Sequence, residues 1–207
     1  MKSKQLLFAD LVERVQNCNL CPRMNLRRRV LSTSNGNLDA PIVFIAEAPG
    51  RLGADKCGIP LSGDQTARNF DWLISKAGID RADVFITNAV LCNPRKPDGN
   101  NDSPSSAETR NCSRYLKEAL DIIRPKYVAP LGKTALSALS IISPLDVKLS
   151  DGVGQVFRWN GYQIYPLYHP GPRAFIWRPK MQQRSDYEVL AGLLGVNSCR
   201  LQDEGVT

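Results

Sequence analysis

The chain of 207 residues contains a single histidine, His169. It stands in His169-Pro170-Gly171-Pro172-Arg173, directly after the apolar run Ile164-Tyr165-Pro166-Leu167-Tyr168. Any acid–base or charge-stabilising chemistry that uses an imidazole must therefore happen there. A lone histidine is more often structural than functional, so its company decides the matter. Glu47 follows the continuous apolar run Ile42-Val43-Phe44-Ile45-Ala46, and Asn88 lies near the end of a second run, Val84 to Val90. Both runs read as buried strands of a parallel sheet. Ligands of such sheets bind at the carboxyl ends of the strands, so the fold would gather Glu47, Asn88 and His169 at one rim. The alternative makes Glu47 a surface residue, Asn88 a turn cap and His169 a packing partner of a proline. Three polar residues at matching strand ends weigh against it.

A second constellation is Cys18-x-x-Cys21, followed far downstream by Cys92 and Cys112. A CxxC knuckle presents two thiolates to one metal centre, and the later pair could complete the set. Nineteen residues separate Cys92 from Cys112, whereas structural zinc sites use two compact knuckles. Spacing alone therefore leaves zinc, an iron–sulfur cluster and plain buried thiols open. Cys57 and Cys199 read as spares. Gly132-Lys133-Thr134 after a strand invites a phosphate-loop reading, but the required earlier glycine would fall at Tyr127, which excludes it. The run Arg27-Arg28-Arg29 is either a solvated face or a contact to backbone phosphates.

The elements that must position these residues alternate. A helix is expected from about residue 3 to 17, where Leu7, Leu11 and Val15 share a face, and it delivers Cys18 at its end. Further helices are expected over 64–77, 106–123 and 133–141, with strands at 42–46, 84–90, 127–131 and 163–167 and a hairpin-like pair across Asn160-Gly161. The segment 92–106, rich in Pro, Asn, Asp and Gly, is a loop long enough to need something to pin it. Strand–helix alternation predicts a three-layer α/β/α domain around a mainly parallel four-stranded sheet. Residues 1–196 read as one domain and 197–207 as a polar tail.

A formal net charge of +7 favours a polyanionic partner. No run of about eighteen apolar residues appears, so no membrane association is expected. The N-terminus turns acidic before any long apolar stretch, which predicts an intracellular, reducing compartment in which cysteines serve as ligands rather than disulfides.

With these motifs assembled, residues 18–194 resemble the uracil-DNA glycosylase superfamily, specifically its iron–sulfur-containing family 4. The resemblance rests on Cys18-x-x-Cys21-Pro22-Arg23, Glu47-Ala48-Pro49-Gly50, Gly58-Ile59-Pro60-Leu61-Ser62-Gly63, Ile86-Thr87-Asn88, Cys92, Cys112, Pro130-Leu131-Gly132 and His169-Pro170-Gly171-Pro172. It implies a glycosylase-like fold and a [4Fe-4S] cluster on Cys18, Cys21, Cys92 and Cys112, with a structural role. It also implies a monomer that acts at the nucleoid on single- or double-stranded DNA containing uracil, flipping the target base from the stack. Glu47 and His169 are then the catalytic residues, and Ala48, Asp55, Leu61 and Asn88 contact the substrate. Pro170, Gly171, Pro172 and Arg173 press into the minor groove, with Arg173 as the wedge.

Two departures from the family pattern bear on base range. Leu61 stands where an aromatic commonly stacks on uracil, and the acidic cluster after the first motif is reduced to Asp55 in a segment one residue longer. Two other readings compete. A non-catalytic nucleic-acid-binding metalloprotein on the same fold would not need Glu47, Asn88 and His169 together. A relative that traps the abasic site covalently would need a histidine in an inserted loop, and His169 is in the ordinary motif.

Overall fold

The computed structural model describes residues 2–196; the expected tail at 197–207, and Cys199 within it, lie outside the described residues. In chain order the main elements are α1 (Lys4–Gln16), β1 (Ile42–Ala46), the short α2 (Ala54–Cys57), α3 (Gln65–Lys76), β2 (Phe85–Asn88), α4 (Ser106–Ile123), β3 (Tyr127–Pro130) and α5 (Lys133–Ile142). They are followed by the short α6 (Leu149–Gly152), β4 (Phe157–Trp159), β5 (Tyr162–Ile164) and α7 (Lys180–Leu194).

The sheet has five strands in the order β2-β1-β3-β5-β4, not the four expected. The extra strand comes from the Asn160-Gly161 turn. Both residues are left-handed (φ 46° and 84°), the geometry that a two-residue hairpin requires, and β4 pairs antiparallel with β5 at the sheet edge. The remaining neighbours are parallel. The last parallel strand is also shorter than the apolar run suggested. Pro130 and Pro166 each withhold an N–H from the ladder, so regular pairing ends at Ile164. Even so, the Tyr165 N–H donates to the Val128 carbonyl (2.9 Å) and the Leu167 N–H to the Pro130 carbonyl (3.0 Å), which carries the chain along the sheet towards His169.

β1 is buried on both faces because its side chains alternate between two cores. Val43 and Ile45 pack towards α1, α4 and α5, with Phe8, Leu11, Leu116 and Leu139. Ile42, Phe44 and Ala46 pack towards α3 and α7, where Phe44 meets Phe70 edge-on at 5.1 Å between ring centroids and stacks on Tyr187 at 6.1 Å. Full burial of such a side chain stabilises by about 1.5–3 kcal/mol, so both helical layers are held by hydrophobic area.

The loops at the rim are held differently, by polar clamps. At the start of α4, Ser105 and Glu108 form a capping box: Ser105 Oγ accepts from the Glu108 N–H, and the Ser105 N–H donates to Glu108 Oε2. The same carboxylate receives a two-pronged guanidinium from Arg23, Nε to Oε1 at 2.5 Å and Nη2 to Oε2 at 2.7 Å. Arg23 Nη1 also donates to Asp102 at 2.8 Å. One arginine thus ties the segment after Cys21 to α4 and to the 92–105 loop.

Hydrogen bonds from Arg23 are the main reason that the Glu108 carboxyl sits below its ordinary range. A carboxyl lowered on folding contributes stability above its unfolded value of about 4.3 and loses it as pH falls through the lower folded value. Glu108→Gln should therefore cost roughly 1–3 kcal/mol at pH 7. Urea unfolding of both proteins should show that gap closing as pH drops below the carboxylate range. A gap of unchanged size in acid would contradict the role of the charge.

Candidate active site

Parallel register places the candidate residues. Ala46 of β1 lies opposite Asn88 of β2, so Glu47 emerges one residue beyond the pair. On the other side of β1, Ile45 lies opposite Pro130 of β3, and Leu131 bridges to Leu167 two residues before His169. Glu47, Asn88 and His169 consequently line one cavity of about 180 Å³, together with Ala48, Leu61, Asp64 and loop residues Asn93 and Asn101.

His169 is held by its own loop. The Gly171 N–H donates to Nδ1 at 3.1 Å, which makes Nδ1 an acceptor and leaves the proton of a neutral ring on Nε2. A Cβ at Gly171 would stand 2.8 Å from Nδ1, and one at Gly132 would stand 3.3 Å from the His169 Cβ. The Gly171 approach is closer than a Cβ allows, and at Gly132 a left-handed backbone, φ 93°, adds to the tight contact. Asn69 of α3, itself buried, donates to the Pro170 carbonyl at 2.8 Å and ties the loop down. Burial is the main reason that the imidazole pKa lies below its ordinary value, and Glu47 and Asp64 oppose that shift.

Glu47 has one carboxylate oxygen fixed: Thr134 Oγ1 of α5 donates to Oε2 at 2.7 Å. Sequence reasoning missed Thr134, although the signal was present. It is the third residue of Gly132-Lys133-Thr134, whose place at the carboxyl end of a strand puts its hydroxyl at the same rim as Glu47. Asn88 is 2% exposed, and its Nδ2 has no hydrogen-bond partner among the described residues. A buried donor left unpaired costs about 1–3 kcal/mol, which is expected of a group kept ready for a ligand.

Leu61 lines the cavity with φ at 44°, a left-handed backbone uncommon for a branched residue. Arg81 holds the turn by donating to the Pro60 and Leu61 carbonyls at 2.7 and 3.1 Å. Strain of this kind, maintained by its surroundings, is typical of functional positions. Ala48 also lines the cavity, but Asp55 is not among the lining residues. Asp55 instead pairs with Arg95, which donates to Asn93 Oδ1 at 2.8 Å, and Asn93 Nδ2 donates in turn to the Pro49 carbonyl. Through this relay Asp55 braces the wall from behind.

In the His169 loop Pro170 and Gly171 are buried whereas Pro172 and Arg173 are exposed, at the start of a 3-10 turn, Pro172–Ile176. Ile176 and Trp177 beyond them are each 78% exposed. Within the arginine run near the N-terminus, Arg28 is exposed, its Nε donating to the Asp55 carbonyl. Arg29 is half-buried and donates to the Cys18, Asn25 and Arg27 carbonyls, which shapes the cysteine-bearing loop.

Cys18, Cys21, Cys92 and Cys112 line a second, smaller cavity with Met24, Val90 and Tyr115. Among the described residues, no three His, Cys, Asp or Glu side chains converge on a single-ion site. The four thiols share one largely apolar cavity, a donor set of the kind that holds a thiolate-bound metal centre. Burial pushes the Cys92 thiol up to about 11 and the Cys112 thiol up to about 12, and the neighbouring cysteines add to both shifts. Four thiolates could be held together here only around positive charge. The donors that polarise sulfur ligands are in place: the Leu91 N–H lies 3.3 Å from Cys112 Sγ, and Asn111 Nδ2 lies 3.6 Å from Cys21 Sγ. Cys57 is exposed and apart from this group. No helix among the described residues is long and apolar enough to cross a membrane.

Residues 33–190 match the family model described as the uracil DNA glycosylase superfamily. The chain is 34% identical over 171 residues to a type-4 uracil-DNA glycosylase of Thermotoga maritima, covering 82% of this chain and 84% of the relative. It is 34% identical over 186 residues to the type-4 enzyme of Saccharolobus solfataricus, covering 86% and 79% of the two chains. Against the type-4 enzyme of Archaeoglobus fulgidus it is 29% identical over 201 residues, covering 94% and 96%. With the rim geometry and these matches in agreement, the chain belongs to the type-4 family of the uracil-DNA glycosylase superfamily.

Proposed function

We propose that the protein hydrolyses the N-glycosidic bond of uracil in DNA and leaves an abasic site, the opening step of base excision repair. The observation that carries this reading is the buried, unpartnered Nδ2 of Asn88 in the wall of a cavity that also contains His169, whose Nδ1 accepts from the Gly171 N–H. The target nucleotide must leave the helical stack to reach that cavity. There Asn88 donates to uracil O4 through Nδ2 and accepts from N3–H through Oδ1. Cytosine presents a donor and an acceptor in the reverse places, so both contacts would turn repulsive. Ala48 and Leu61 form apolar walls, and Leu61 grips the ring less than an aromatic would, which loosens base selection.

When the bond from C1′ to N1 breaks, its electron pair leaves with the base, and negative charge spreads to O2. The Nε2–H of His169 is the donor for that charge, a preorganised contact strengthened by desolvation. Positive charge develops on the sugar at the same time. Thr134 occupies one oxygen of Glu47, which leaves the other to orient water towards C1′ and to stabilise the cationic sugar. Water adds to C1′ and its proton passes to the carboxylate or to solvent. Arg173, exposed beside the loop, fills the gap in the stack.

Cys18, Cys21, Cys92 and Cys112 would hold a [4Fe-4S] cluster, which when bound supplies the positive charge that four thiolates need and ties the N-terminal helix, the 92–105 loop and α4 together. The purified protein should accordingly be brown. Iron and sulfide should be lost from Cys112→Ser and retained in Cys57→Ser, and anaerobic metal analysis finding one zinc and no iron would overturn the assignment. A purely DNA-binding reading leaves the unpaired Asn88 amide and the Thr134–Glu47 bond without purpose.

The decisive kinetic experiment is His169→Ala. Loss of one preorganised donor costs roughly a hundred- to a thousandfold in turnover. Single-turnover abasic-site formation on uracil-containing DNA should fall by that factor, with little change in affinity for the same oligonucleotide, because phosphate contacts supply most of the binding. A variant that excises uracil normally, or that fails only through lost binding, would refute the role.

A further inference from the structure

A third cavity, of about 640 Å³, adjoins the base cavity, and His169 lines both. It runs along the outer face of α5 towards α6 and is bordered by Lys133, Ser137, Lys148, Tyr168 and Trp177. Its chemistry is the opposite of its neighbour's. The base cavity carries Glu47, Asp64 and Asp102, which repel phosphate. No acidic side chain lines the groove among the described residues, and Lys133 and Lys148 project into it without an ion-pair partner. On its border Trp177 and the adjacent Ile176 each leave 78% of their surface in solvent, a contiguous apolar patch beside a cationic groove of the kind that marks an interaction site. The excision mechanism uses neither of the two lysines nor Trp177.

We propose that this groove is a binding site for an unpaired nucleotide flanking the one to be excised, and so selects single-stranded DNA. The inference rests on the glycosylase reading only in that a base occupies the neighbouring cavity. A strand whose base enters that cavity passes His169 and reaches the groove at its next nucleotide. There Lys133 and Lys148 face the phosphate, and the indole of Trp177 offers a flat surface to the base. Cationic side chains interleaved with an aromatic platform are the sequence-tolerant means of holding single strands. In a duplex the flanking base stays stacked and paired, and its face is unavailable to Trp177.

The test uses the full-length protein and needs no catalysis: fluorescence-anisotropy binding of a uracil-free oligothymidine and of a duplex of equal length. Trp177→Ala should weaken single-strand binding by roughly 5- to 150-fold, the range for loss of one base–aromatic stack. Duplex binding should change less than twofold, and Trp177→Phe should recover most of the loss. The double variant Lys133→Ala/Lys148→Ala should flatten the salt dependence of single-strand binding by about 0.7 in logarithmic slope per lysine. Equal losses on both DNAs, no loss with Trp177→Ala, or an unchanged salt slope would each overturn the proposal. Uracil release by the unsubstituted protein, measured in parallel, separates this outcome from failure of the glycosylase reading, since a protein that excises nothing can still show the predicted single-strand binding.

Discussion

Parallel pairing of β1 with β2 and β3 is the constraint on which the site depends. Ala46 opposite Asn88, and Ile45 opposite Pro130, bring three strand ends to one edge and aim their polar residues into one cavity. Side chains alternate across a strand, so a slip of one residue would send Asn88 to the opposite face. β1 resists such a slip because both faces are buried, with Val43 and Ile45 in one core and Phe44 in the other. The hydrophobic area that holds the layers together thus also sets the geometry of the chemistry.

Beyond the strand ends apolar packing gives way to polar anchoring. Arg23 on Glu108 and Asp102, Arg95 between Asp55 and Asn93, and Asn69 on the Pro170 carbonyl each fix a loop that has few buried apolar side chains of its own. Four cysteines from three separate segments line one small cavity. Such anchors are directional, which suits loops that must stop His169, Leu61 and Asn93 at particular positions.

Much of this was legible in sequence because it rests on local signals. α4 spans the expected 106–123, started by the Ser105–Glu108 capping box, a signal that acts over a few residues. The clustering of Glu47, Asn88 and His169 followed from strand ends alone. What escaped depends on tertiary pairing. The edge strand β4 is three residues long and carries no distinct apolar pattern, so its place in the sheet is decided by the Asn160-Gly161 turn. The resemblance implies a substrate contact for Asp55, whereas its carboxylate pairs with Arg95, forty residues away, and is absent from the cavity lining. Thr134 belongs to Glu47 only once β1 and β3 are neighbours.

At the centre stands a histidine whose charge and tautomer are set by burial and by one backbone N–H. The account requires it to be neutral, with the proton on Nε2, before substrate arrives. Because it is the only histidine of the chain, nitrogen-detected NMR of the imidazole gives an unambiguous answer. Nδ1 should resonate as the unprotonated nitrogen and Nε2 as the protonated one at neutral pH, with titration only below the ordinary histidine value of about 6.5. An imidazolium at pH 7, or a neutral ring carrying its proton on Nδ1, would contradict the account.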